Sequence, residues 1–336
     1  YPSIRDQNFH HEIINHPIFK KYVYPDSNVL FERLFKTFSN NKDLKEEEKV
    51  EMDNIFRLTP SQKFLRNFMS PYTPYRGLFV IHGTGVGKTC TGLTIAEQLK
   101  DYVKGNNQRI TIIRPDEFRR EAFEMSTLKT EDYQNQCTGD TYLQDEYIKS
   151  KLEGCNKEND ETCDKVRKMI TNEIKKNYDF ITPRAWANKL NKILHRRTSK
   201  LEGAEKETKI KEIIQKIYNN GVLIIDEAHN LRDGDGSEKI IPPFLELVLK
   251  HSHNLRLILL SATPMFDKPR DIISLLNYLL YNDNRAGLQE NKIFDKTGKM
   301  KPEGKKILSE AMTGYISYMR GNNPFEFPIR ITAREN

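Results

Sequence analysis

The sequence predicts an α/β fold in which a parallel sheet is flanked by helices. Short apolar runs recur along the chain, and they are continuous rather than alternating, which is typical of strands that are buried on both faces of a sheet. Segments with helical periodicity separate these runs, so that strand, helix and strand follow one another as in a βαβ unit. The predicted strands are GLFVIH (77–82), ITIIRP (110–115), YDFITP (178–183), VLIID (222–226) and LRLILLSAT (255–263).

Helices are predicted from the spacing of apolar residues between the strands. LTPSQKFLRNFM (58–69) begins with Thr-Pro, as a capped helix does, and TCTGLTIAEQLKDYV (89–103) follows the first strand. Two later segments carry apolar residues that repeat at i, i+3, i+4 and i+7, as on one face of a helix. These residues are Trp186, Leu190, Ile193 and Leu194 in the first segment and Ile210, Ile213, Ile214 and Ile217 in the second.

We expect a core domain at 58–280 with a segment on either side of it. Residues 1–57 form an N-terminal extension, which has an aromatic-rich opening, an amphipathic helix near 28–38 and a charged hinge. Residues from about 116 to 176 are polar, and we interpret them as a mostly helical insertion in the core domain. Residues 281–336 are expected to lead to a second domain that is absent from this chain.

Composition and charge narrow the class of protein. The 336 residues have a formal net charge of +7 and a pI of about 9.0, which favours a polyanionic partner such as nucleic acid. Because no apolar run approaches the length of a bilayer span, we expect no membrane contact. The four cysteines, which are irregularly spaced, are Cys90, Cys137, Cys155 and Cys163. We expect free thiols in a reducing compartment, and a zinc site formed by the last three cysteines with His195 is the weaker alternative.

The stretch VIHGTGVGKTC, from Val80 to Cys90, predicts a phosphate-binding loop. Glycines allow successive backbone N–H groups to point at an anion, and the following helix directs its N-terminus at the same charge. Lys88 can then reach the β and γ phosphates, and the Thr89 hydroxyl can bind magnesium. The motif G-x-x-x-x-G-K-[ST] has a glycine where this chain has His82. The predicted nucleotide-binding residues here are Gly83, Thr84, Gly85, Val86, Gly87, Lys88, Thr89 and Cys90.

Two further motifs end predicted strands. In LIIDEAHN, Asp226 is expected to hold magnesium, and Glu227 is expected to orient and deprotonate the attacking water. In LLSATPM, Ser261 and Thr263 are expected to hydrogen-bond His229 or the acidic pair. Because open parallel sheets bind ligands at the carboxyl ends of their strands, we expect both motifs to lie beside the phosphate loop. Together with Lys88, the acidic pair forms the predicted catalytic set.

The loop, DEAH and SAT motifs, in this order, resemble the superfamily 2 helicases and translocases. The resemblance implies a RecA-like P-loop NTPase domain, the first of two, that binds ATP and magnesium and hydrolyses ATP to move along nucleic acid. It also implies that Gln62, in LTPSQKF, contacts the adenine. Two segments after strands are similar to nucleic-acid backbone contacts of the family: Arg114 with Pro115, and Thr182 with Arg184.

Three phrases resemble the helicases of large cytoplasmic DNA viruses of the poxvirus, asfarvirus and mimivirus kind: YVYPDSNVLFERLF, CTGDTY and GYISYMRGNNPFEFPIRI. This resemblance implies a role in viral transcription, as an early transcription factor small subunit or a transcript-release ATPase. DNA is the first expected partner and RNA the second. A viral RNA polymerase or another transcription-factor subunit is the expected protein partner, in the host cytoplasm or packaged in the virion.

The residues after Thr263 are too few for a second RecA-like domain, and no glutamine-and-arginine-rich motif occurs among them. Because arginine fingers contribute on the order of 10³ to 10⁵ in rate to related enzymes, we expect this chain alone to bind nucleotide and to hydrolyse it weakly. Two alternatives remain open. One is a nucleotide-switched scaffold subunit of a transcription complex without motor activity. The other is a phosphate-loop ATPase of a different clan, such as a packaging or chaperone-like ring enzyme.

Overall fold

The computed structural model describes residues 1–22, 58–83, 86–114, 137, 142, 150, 161–231, 241–265, 269 and 271–319. Its centre is a six-stranded sheet in the order β3-β2-β4-β5-β1-β6, and every pair of neighbouring strands is parallel. The predicted α/β fold with a parallel sheet is therefore confirmed. The strands are β1 (Gly77–His82), β2 (Ile110–Ile113), β3 (Tyr178–Ile181), β4 (Val222–Asp226), β5 (Arg256–Ser261) and β6 (Ile316–Met319).

Helices cover both faces of this sheet. Those of the described residues are α1 (Phe9–Asn15), α2 (Pro17–Lys20), α3 (Pro60–Phe68), α4 (Lys88–Gly105), α5 (Glu161–Asn177), α6 (Pro183–Thr198), α7 (Gly203–Tyr218), α8 (Ile241–His251), α9 (Asp271–Asn282), α10 (Glu290–Ile293) and α11 (Pro302–Met312). A short 3₁₀ helix, Ala228–Leu231, follows β4. No helix of the described ranges is both long and apolar enough to cross a membrane.

Strand β4 shows how the sheet divides the core into two layers. Leu223 and Ile225 face one apolar cluster, which α6, α7, α8 and α9 complete. Val222 and Ile224 face the other cluster, which α3, α4 and α5 complete. All four side chains are buried, because alternate residues of a strand point to opposite faces and both faces are covered here. The continuous apolar runs of the sequence follow from this arrangement.

Close packing fixes α4, the helix that follows the phosphate loop, against the sheet. At Gly92 a Cβ atom would lie 2.7 Å from Leu260 Cδ1 on β5, so a larger side chain would push the helix away from the strand. Leu93, Ile95, Ala96 and Leu99 of the same helix are buried. The N-terminus of α4 is therefore held at the carboxyl end of β1, where the site is built.

The first part of the N-terminal extension packs on the core. Phe9 and Phe19 are buried in the same cluster as Phe68 of α3, and the ring of Tyr75 stacks on that of Phe68 at 4.2 Å between centroids. The hydroxyl of Tyr75 donates a hydrogen bond to the carbonyl of Pro2 at 2.8 Å. Residues 1–22 thus belong to the folded unit, while the helix predicted near 28–38 lies outside the described residues.

The predicted end of the core domain at residue 280 is too early. Strand β6 pairs with β1 over four residues, from Phe79 with Ile316 to His82 with Met319, and it forms one edge of the sheet. The segment 281–319 is therefore part of the domain rather than only a connection to another one. The strand escapes prediction because it is short and none of its side chains is fully buried, so it lacks a continuous apolar run.

Candidate nucleotide-binding site

The phosphate loop and the acidic pair meet at the carboxyl edge of the sheet. Lys88 begins α4 after the loop that follows β1. Asp226 ends β4, and β5 lies between β1 and β4 in the sheet. The Lys88 Nζ atom lies 3.0 Å from Glu227 Oε1 and 3.7 Å from Asp226 Oδ1. The two clusters that the sequence predicts for one site are therefore in direct contact. Thr84 and Gly85 of the loop lie outside the described residues.

The end of the phosphate loop has the backbone that an anion site requires. Gly87 has φ of +78°, in the left-handed region that favours glycine, and it caps the N-terminus of α4. Its carbonyl accepts hydrogen bonds from the backbone N–H and the Oγ1 of Thr91, at 2.9 and 3.1 Å. The N–H groups of the first turn have no partner within a helix, and they include those of Lys88, Thr89 and Cys90. They give this end of α4 a partial positive charge.

Gln62 lies beside the loop. Its Oε1 accepts a hydrogen bond from the backbone N–H of Thr59 at 2.9 Å, which completes a capping box at the start of α3. Its Nε2 donates to the Gly87 carbonyl at 3.4 Å. A Cβ at Gly87 would lie 2.8 Å from this Nε2, so the close approach also needs glycine. The geometry places Gln62 next to the loop, and its contact with adenine stays a prediction.

His82, which stands in place of the first glycine of the motif, is fully buried. Its Nε2 lies 2.9 Å from the Oγ of Ser317 on β6, so it connects the start of the loop with the edge strand. Burial, and then the positive charge of Lys88, lower the pKa of His82 from 6.5 to about 4. The imidazole is therefore neutral at physiological pH and adds no charge to the phosphate site.

The buried His82 predicts a pH-dependent stability. Between pH 6.5 and about 4 the unfolded chain binds a proton that the folded chain excludes, so the free energy of unfolding falls as the pH falls through this window. The full loss amounts to about 3 kcal/mol, since one pKa unit corresponds to roughly 1.4 kcal/mol. Urea unfolding at a series of pH values measures it. His82→Gln should lose this pH dependence, whereas His195→Gln, at an exposed position, should keep it. An equal dependence of the free energy of unfolding on pH in both variants would contradict the assignment.

Asp226 is buried between two cationic side chains. Besides Lys88, the Nε of Arg114 lies 3.2 Å from Asp226 Oδ2, and the side chains of Arg114 and Asp226 are only 7% and 1% exposed. The predicted role of Arg114 in nucleic-acid binding does not fit this position, because a buried guanidinium paired with the acidic residue cannot reach a polymer outside the domain. Arg114 follows the last residue of β2, Ile113, and its side chain turns inward to Asp226 at the edge of the sheet. Pro115 lies outside the described residues.

Glu227 has an unusual backbone conformation. Its φ is +52°, in the left-handed region, and its N–H donates to Asp226 Oδ1 at 2.9 Å. A residue without glycine's freedom adopts this conformation at a cost of about 1–3 kcal/mol, which the surrounding structure must offset. The turn sends the Glu227 carboxylate towards Lys88 rather than along the direction of β4.

The residues predicted to couple the motifs are brought together. His229 Nδ1 lies 3.1 Å from Ser261 Oγ and 3.4 Å from Glu227 Oε2. The backbone N–H of Thr263 donates to the same Ser261 Oγ at 3.2 Å. The ends of β4 and β5 are thus linked through side chains of the DEAH and SAT motifs.

The donor set at this edge fits a magnesium nucleotide. Thr89 and Asp226 offer hydroxyl and carboxylate oxygens, which are the ligand types that magnesium prefers. Lys88 and the N-terminus of α4 supply positive charge for phosphates. The buried carboxylate of Asp226 already pairs with the cationic side chains of Lys88 and Arg114. A bound divalent ion would pair with the same carboxylate. These are the residues that would hold the metal and the triphosphate.

Of the second predicted nucleic-acid contact, Thr182 and Arg184 are described. Thr182 caps α6 and is partly buried, and Arg184 is exposed in the first turn of that helix, at the same edge of the sheet as Lys88. Helix α6 contains no acidic residue. Its exposed basic residues are Arg184, Lys189, Lys192, Arg196 and Arg197. A contact of nucleic acid with Thr182 or Arg184 stays a prediction.

The prediction of free thiols is wrong for two cysteines. Cys90 and Cys137 form a disulfide, with 5.4 Å between their Cα atoms. The sequence does not indicate this pair, because the two residues are 47 positions apart and one of them lies in the predicted insertion.

Two further contacts of the site were not predicted. Arg114 is a neighbour of Asp226, and Ser317 is a neighbour of His82. No local pattern could have indicated them, since each contact joins different strands.

The chain is similar to a known protein family and to several viral proteins. Residues 55–266 match the family described as type III restriction enzyme, res subunit, over more than half of the chain. Two proteins of Acanthamoeba polyphaga mimivirus are similar over nearly the whole chain. "Putative ATP-dependent RNA helicase L377" is 31% identical over 100% of this chain and 28% of its own length. "Putative ATP-dependent RNA helicase R563" is 27% identical over 98% of this chain and 49% of its own length.

A more distant relative comes from African swine fever virus. Its "Early transcription factor large subunit homolog" is 22% identical over 82% of this chain and 28% of its own length. The chain thus spans between about a quarter and a half of the length of these curated relatives. The matched family segment contains the phosphate loop, the DEAH motif and the SAT motif that meet at the carboxyl edge of the sheet. The resemblance to superfamily 2 helicases is confirmed, and the chain belongs to the family of the type III restriction enzyme res subunit.

Proposed function

We propose that this chain is the first motor domain of a viral nucleic-acid-dependent ATPase, which hydrolyses ATP to ADP and phosphate and moves along DNA or RNA during viral transcription. The observation that carries the proposal is the contact of Lys88 with both Asp226 and Glu227 at the carboxyl edge of a parallel sheet. A phosphate-binding lysine, a metal ligand and a base are thereby available to one triphosphate.

Glu227 is the proposed base. Its two carboxylate oxygens are held by different groups, Oε1 by Lys88 at 3.0 Å and Oε2 by His229 at 3.4 Å. In the reaction, Glu227 takes a proton from water while the water oxygen forms a bond to the γ-phosphorus. The bond from the γ-phosphorus to the β–γ bridging oxygen breaks, ADP leaves, and the proton later returns to solvent.

Lys88 has two roles in this scheme. Without nucleotide it neutralises the acidic pair, and with nucleotide its ammonium group turns to the β and γ phosphates. Arg114 stays beside Asp226 and keeps that carboxylate from being left with an unpaired buried charge. Magnesium, when bound through Thr89 and Asp226, supplies positive charge to the phosphate oxygens. Because the loose transition state needs mainly positioning and charge neutralisation, these groups account for most of the chemistry.

Helix α6 is the surface proposed to meet nucleic acid. It begins at the carboxyl edge of β3, and Arg184 and Lys192 lie on the same side of it, two helical turns apart. The helix contains no acidic residue, and of its basic side chains Lys189 pairs with Asp179 of β3 at 2.8 Å. A row of exposed basic side chains suits a phosphate backbone, which attracts Lys and Arg independently of base sequence. The names of the mimivirus relatives include RNA helicase, and this supports RNA as well as DNA as the polymer.

Viral transcription is the proposed setting. The African swine fever virus relative carries the name of an early transcription factor subunit homolog, which supports a viral RNA polymerase or another transcription-factor subunit as partner. The place of action would be the host cytoplasm. Since arginine fingers of a second RecA-like domain are expected from a part outside this chain, we expect the chain alone to hydrolyse ATP weakly.

ATP hydrolysis by the full-length protein should be stimulated by nucleic acid. Turnover is measured with double-stranded DNA, single-stranded DNA and RNA at one fixed salt concentration, because backbone contacts make such affinities salt-dependent. Arg184→Glu with Lys192→Glu should weaken the binding of the stimulating polymer. The variant should also reduce the slope of log affinity against log salt concentration, by roughly 0.9 for each lost phosphate contact on a duplex.

The matched control for these charge reversals is Lys206→Glu with Lys211→Glu on α7, which changes the charge equally at two other exposed positions. It should leave the salt slope unchanged. Hydrolysis that is indifferent to all three polymers would support the nucleotide-switched scaffold instead, and a hexamer in light scattering would favour a ring ATPase. An equal effect of the α6 and α7 reversals would refute α6 as the contact surface.

A further inference from the structure

The described part of the predicted insertion touches the helix that follows the phosphate loop at two points. The first is the disulfide between Cys137 and Cys90, which stands in the first turn of α4, two residues after Lys88. The backbone N–H of Cys90 is one of the groups that the nucleotide site offers to phosphate. A covalent bond from the insertion therefore ends within the proposed phosphate site itself.

The second point of contact is Tyr142. Its hydroxyl donates a hydrogen bond to Glu97 Oε1 at 2.7 Å, and the Nζ of Lys100 lies 4.6 Å from the centre of its ring. Tyr142 is buried, and Glu97 also accepts a hydrogen bond from the hydroxyl of Tyr178 on β3. This contact needs no oxidation, so Tyr142 anchors the insertion to α4 whether or not the cysteines are bonded.

The two contacts lie on one side of α4. Cys90 and Glu97 are seven residues apart, which is about two helical turns. Because Tyr142 follows Cys137 by only five residues, its attachment to Glu97 keeps the Cys137 thiol near Cys90 after the disulfide is reduced. Such tethering gives the two thiols a high effective concentration and favours reversible closure. Both residues belong to the phrase CTGDTY, whose role the nucleotide chemistry does not explain.

We propose that the Cys90–Cys137 pair is a reversible redox-sensitive modification site that controls nucleotide exchange; this inference rests on the proposed function of the site. With the disulfide closed, the first turn of α4 is held to the insertion, and its N–H groups are fixed in place. A pre-organised site binds its ligand more tightly. The closed form should therefore hold ADP more firmly and turn over more slowly than the reduced form.

The oxidant in this scheme is a small-molecule disulfide of the glutathione type. The Cys137 thiolate attacks one sulfur of glutathione disulfide and releases one glutathione thiolate. The Cys90 thiolate then attacks the Cys137 sulfur and releases the second glutathione. Two protein thiols are oxidised by two electrons, one disulfide reagent is reduced, and the two protons end on the two glutathione molecules.

The test uses the full-length protein equilibrated in glutathione buffers of graded redox potential. Peptide mapping without reductant follows the Cys90–Cys137 bond, titration with a fluorescent ADP analogue gives the dissociation constant, and ATP turnover gives the rate. Closure should lower the ADP dissociation constant and the turnover number several-fold each, and reduction should reverse both changes. The ADP affinity and turnover of Cys137→Ser should be the same in all of these buffers. Cys155→Ser, a matched change elsewhere in the predicted insertion, should respond to the buffers as the native chain does.

Tyr142→Phe provides a readout that does not depend on activity. It removes the hydrogen bond to Glu97 but leaves both cysteines, so the bond should close only in a more oxidising buffer than in the native chain. The inference is overturned if no buffer produces the bond, or if ADP affinity is the same in the closed and reduced forms. A bond that forms and changes ADP affinity in a protein without nucleic-acid-stimulated hydrolysis would support the inference and reject the proposed motor function. Stimulated hydrolysis that ignores the redox buffer would do the reverse.

Discussion

Replacement of Lys88 by Ala is expected to abolish nucleic-acid-stimulated ATP hydrolysis. The substitution removes the ammonium group that lies 3.0 Å from Glu227 and 3.7 Å from Asp226, and with it the only side-chain cation of the predicted phosphate loop. The phosphates lose a partner, and the acidic pair loses the charge that keeps it compatible with an anionic ligand. By comparison with the loss of single charge-stabilising donors, turnover should fall at least on the order of 10²-fold to 10³-fold.

Lys104→Ala is the matched control for this experiment. It removes the same kind of side chain from an exposed position at the other end of α4, so it tests for an effect of the helix as a whole. Turnover and nucleotide affinity, measured by steady-state hydrolysis and by titration with a fluorescent analogue, should match those of the native chain. Retention of stimulated hydrolysis in Lys88→Ala would refute the assignment of the phosphate loop.

Glu227→Gln should separate nucleotide binding from hydrolysis. Glutamine keeps the size of the side chain but cannot take a proton from water, so turnover should fall by roughly 10²-fold to 10⁴-fold. Nucleotide affinity should be kept or increased, because Lys88 no longer has to leave an ion pair with Glu227 to meet the phosphates. Single-turnover hydrolysis and equilibrium binding of ATP measure the two effects.

Asp226→Asn is the comparison that gives this prediction its specificity. It removes a proposed magnesium ligand that also faces Arg114, so it should weaken magnesium-dependent nucleotide binding as well as turnover. If both variants lose binding to the same extent, Glu227 acts in binding and not as the base. Near-native turnover in Glu227→Gln would contradict its proposed role directly.

Much of the sheet could be predicted because burial on both faces leaves a direct mark on the sequence. Strands β1 and β4 occupy the predicted residues, Gly77–His82 and Val222–Asp226, since their side chains are all buried. Strand ends were less certain: the run at 255–263 continues beyond β5, which ends at Ser261. Polar residues after a strand belong to the site rather than to the strand, and periodicity does not distinguish the two.

The convergence of the site could also be predicted, because parallel strands share one carboxyl edge. Lys88, Asp226 and Glu227 come from different motifs, and the strand pattern alone brings them to that edge. The pairing of Arg114 with Asp226 could not be predicted in the same way. A basic residue after a strand looks the same in sequence whether it turns outward to a polymer or inward to a carboxylate, and only the tertiary contact of Arg114 with Asp226 distinguishes the two.

Contacts between distant segments were the least predictable. Cys90 and Cys137 are separated by 47 positions, and their pairing depends on a tertiary contact between Cys137 and α4. Strand β6 was missed because its four residues, three partly buried and one exposed, lack the apolar density that marks the central strands. The aromatic contacts of residues 1–22 with Phe68 and Tyr75 likewise depend on a tertiary surface rather than on a local pattern.

The position of β6 determines how a mechanical load would enter the domain. The backbone N–H of Gly83 donates to the Met319 carbonyl at 3.1 Å, and the His82 side chain reaches Ser317 at 2.9 Å. The first glycine of the loop and the last residue of the edge strand are therefore joined by one hydrogen bond. A pulling force applied to the chain beyond Met319 would act first on this hydrogen bond. The same force would therefore act on the Gly83 peptide group, with which the proposed nucleotide-binding loop begins.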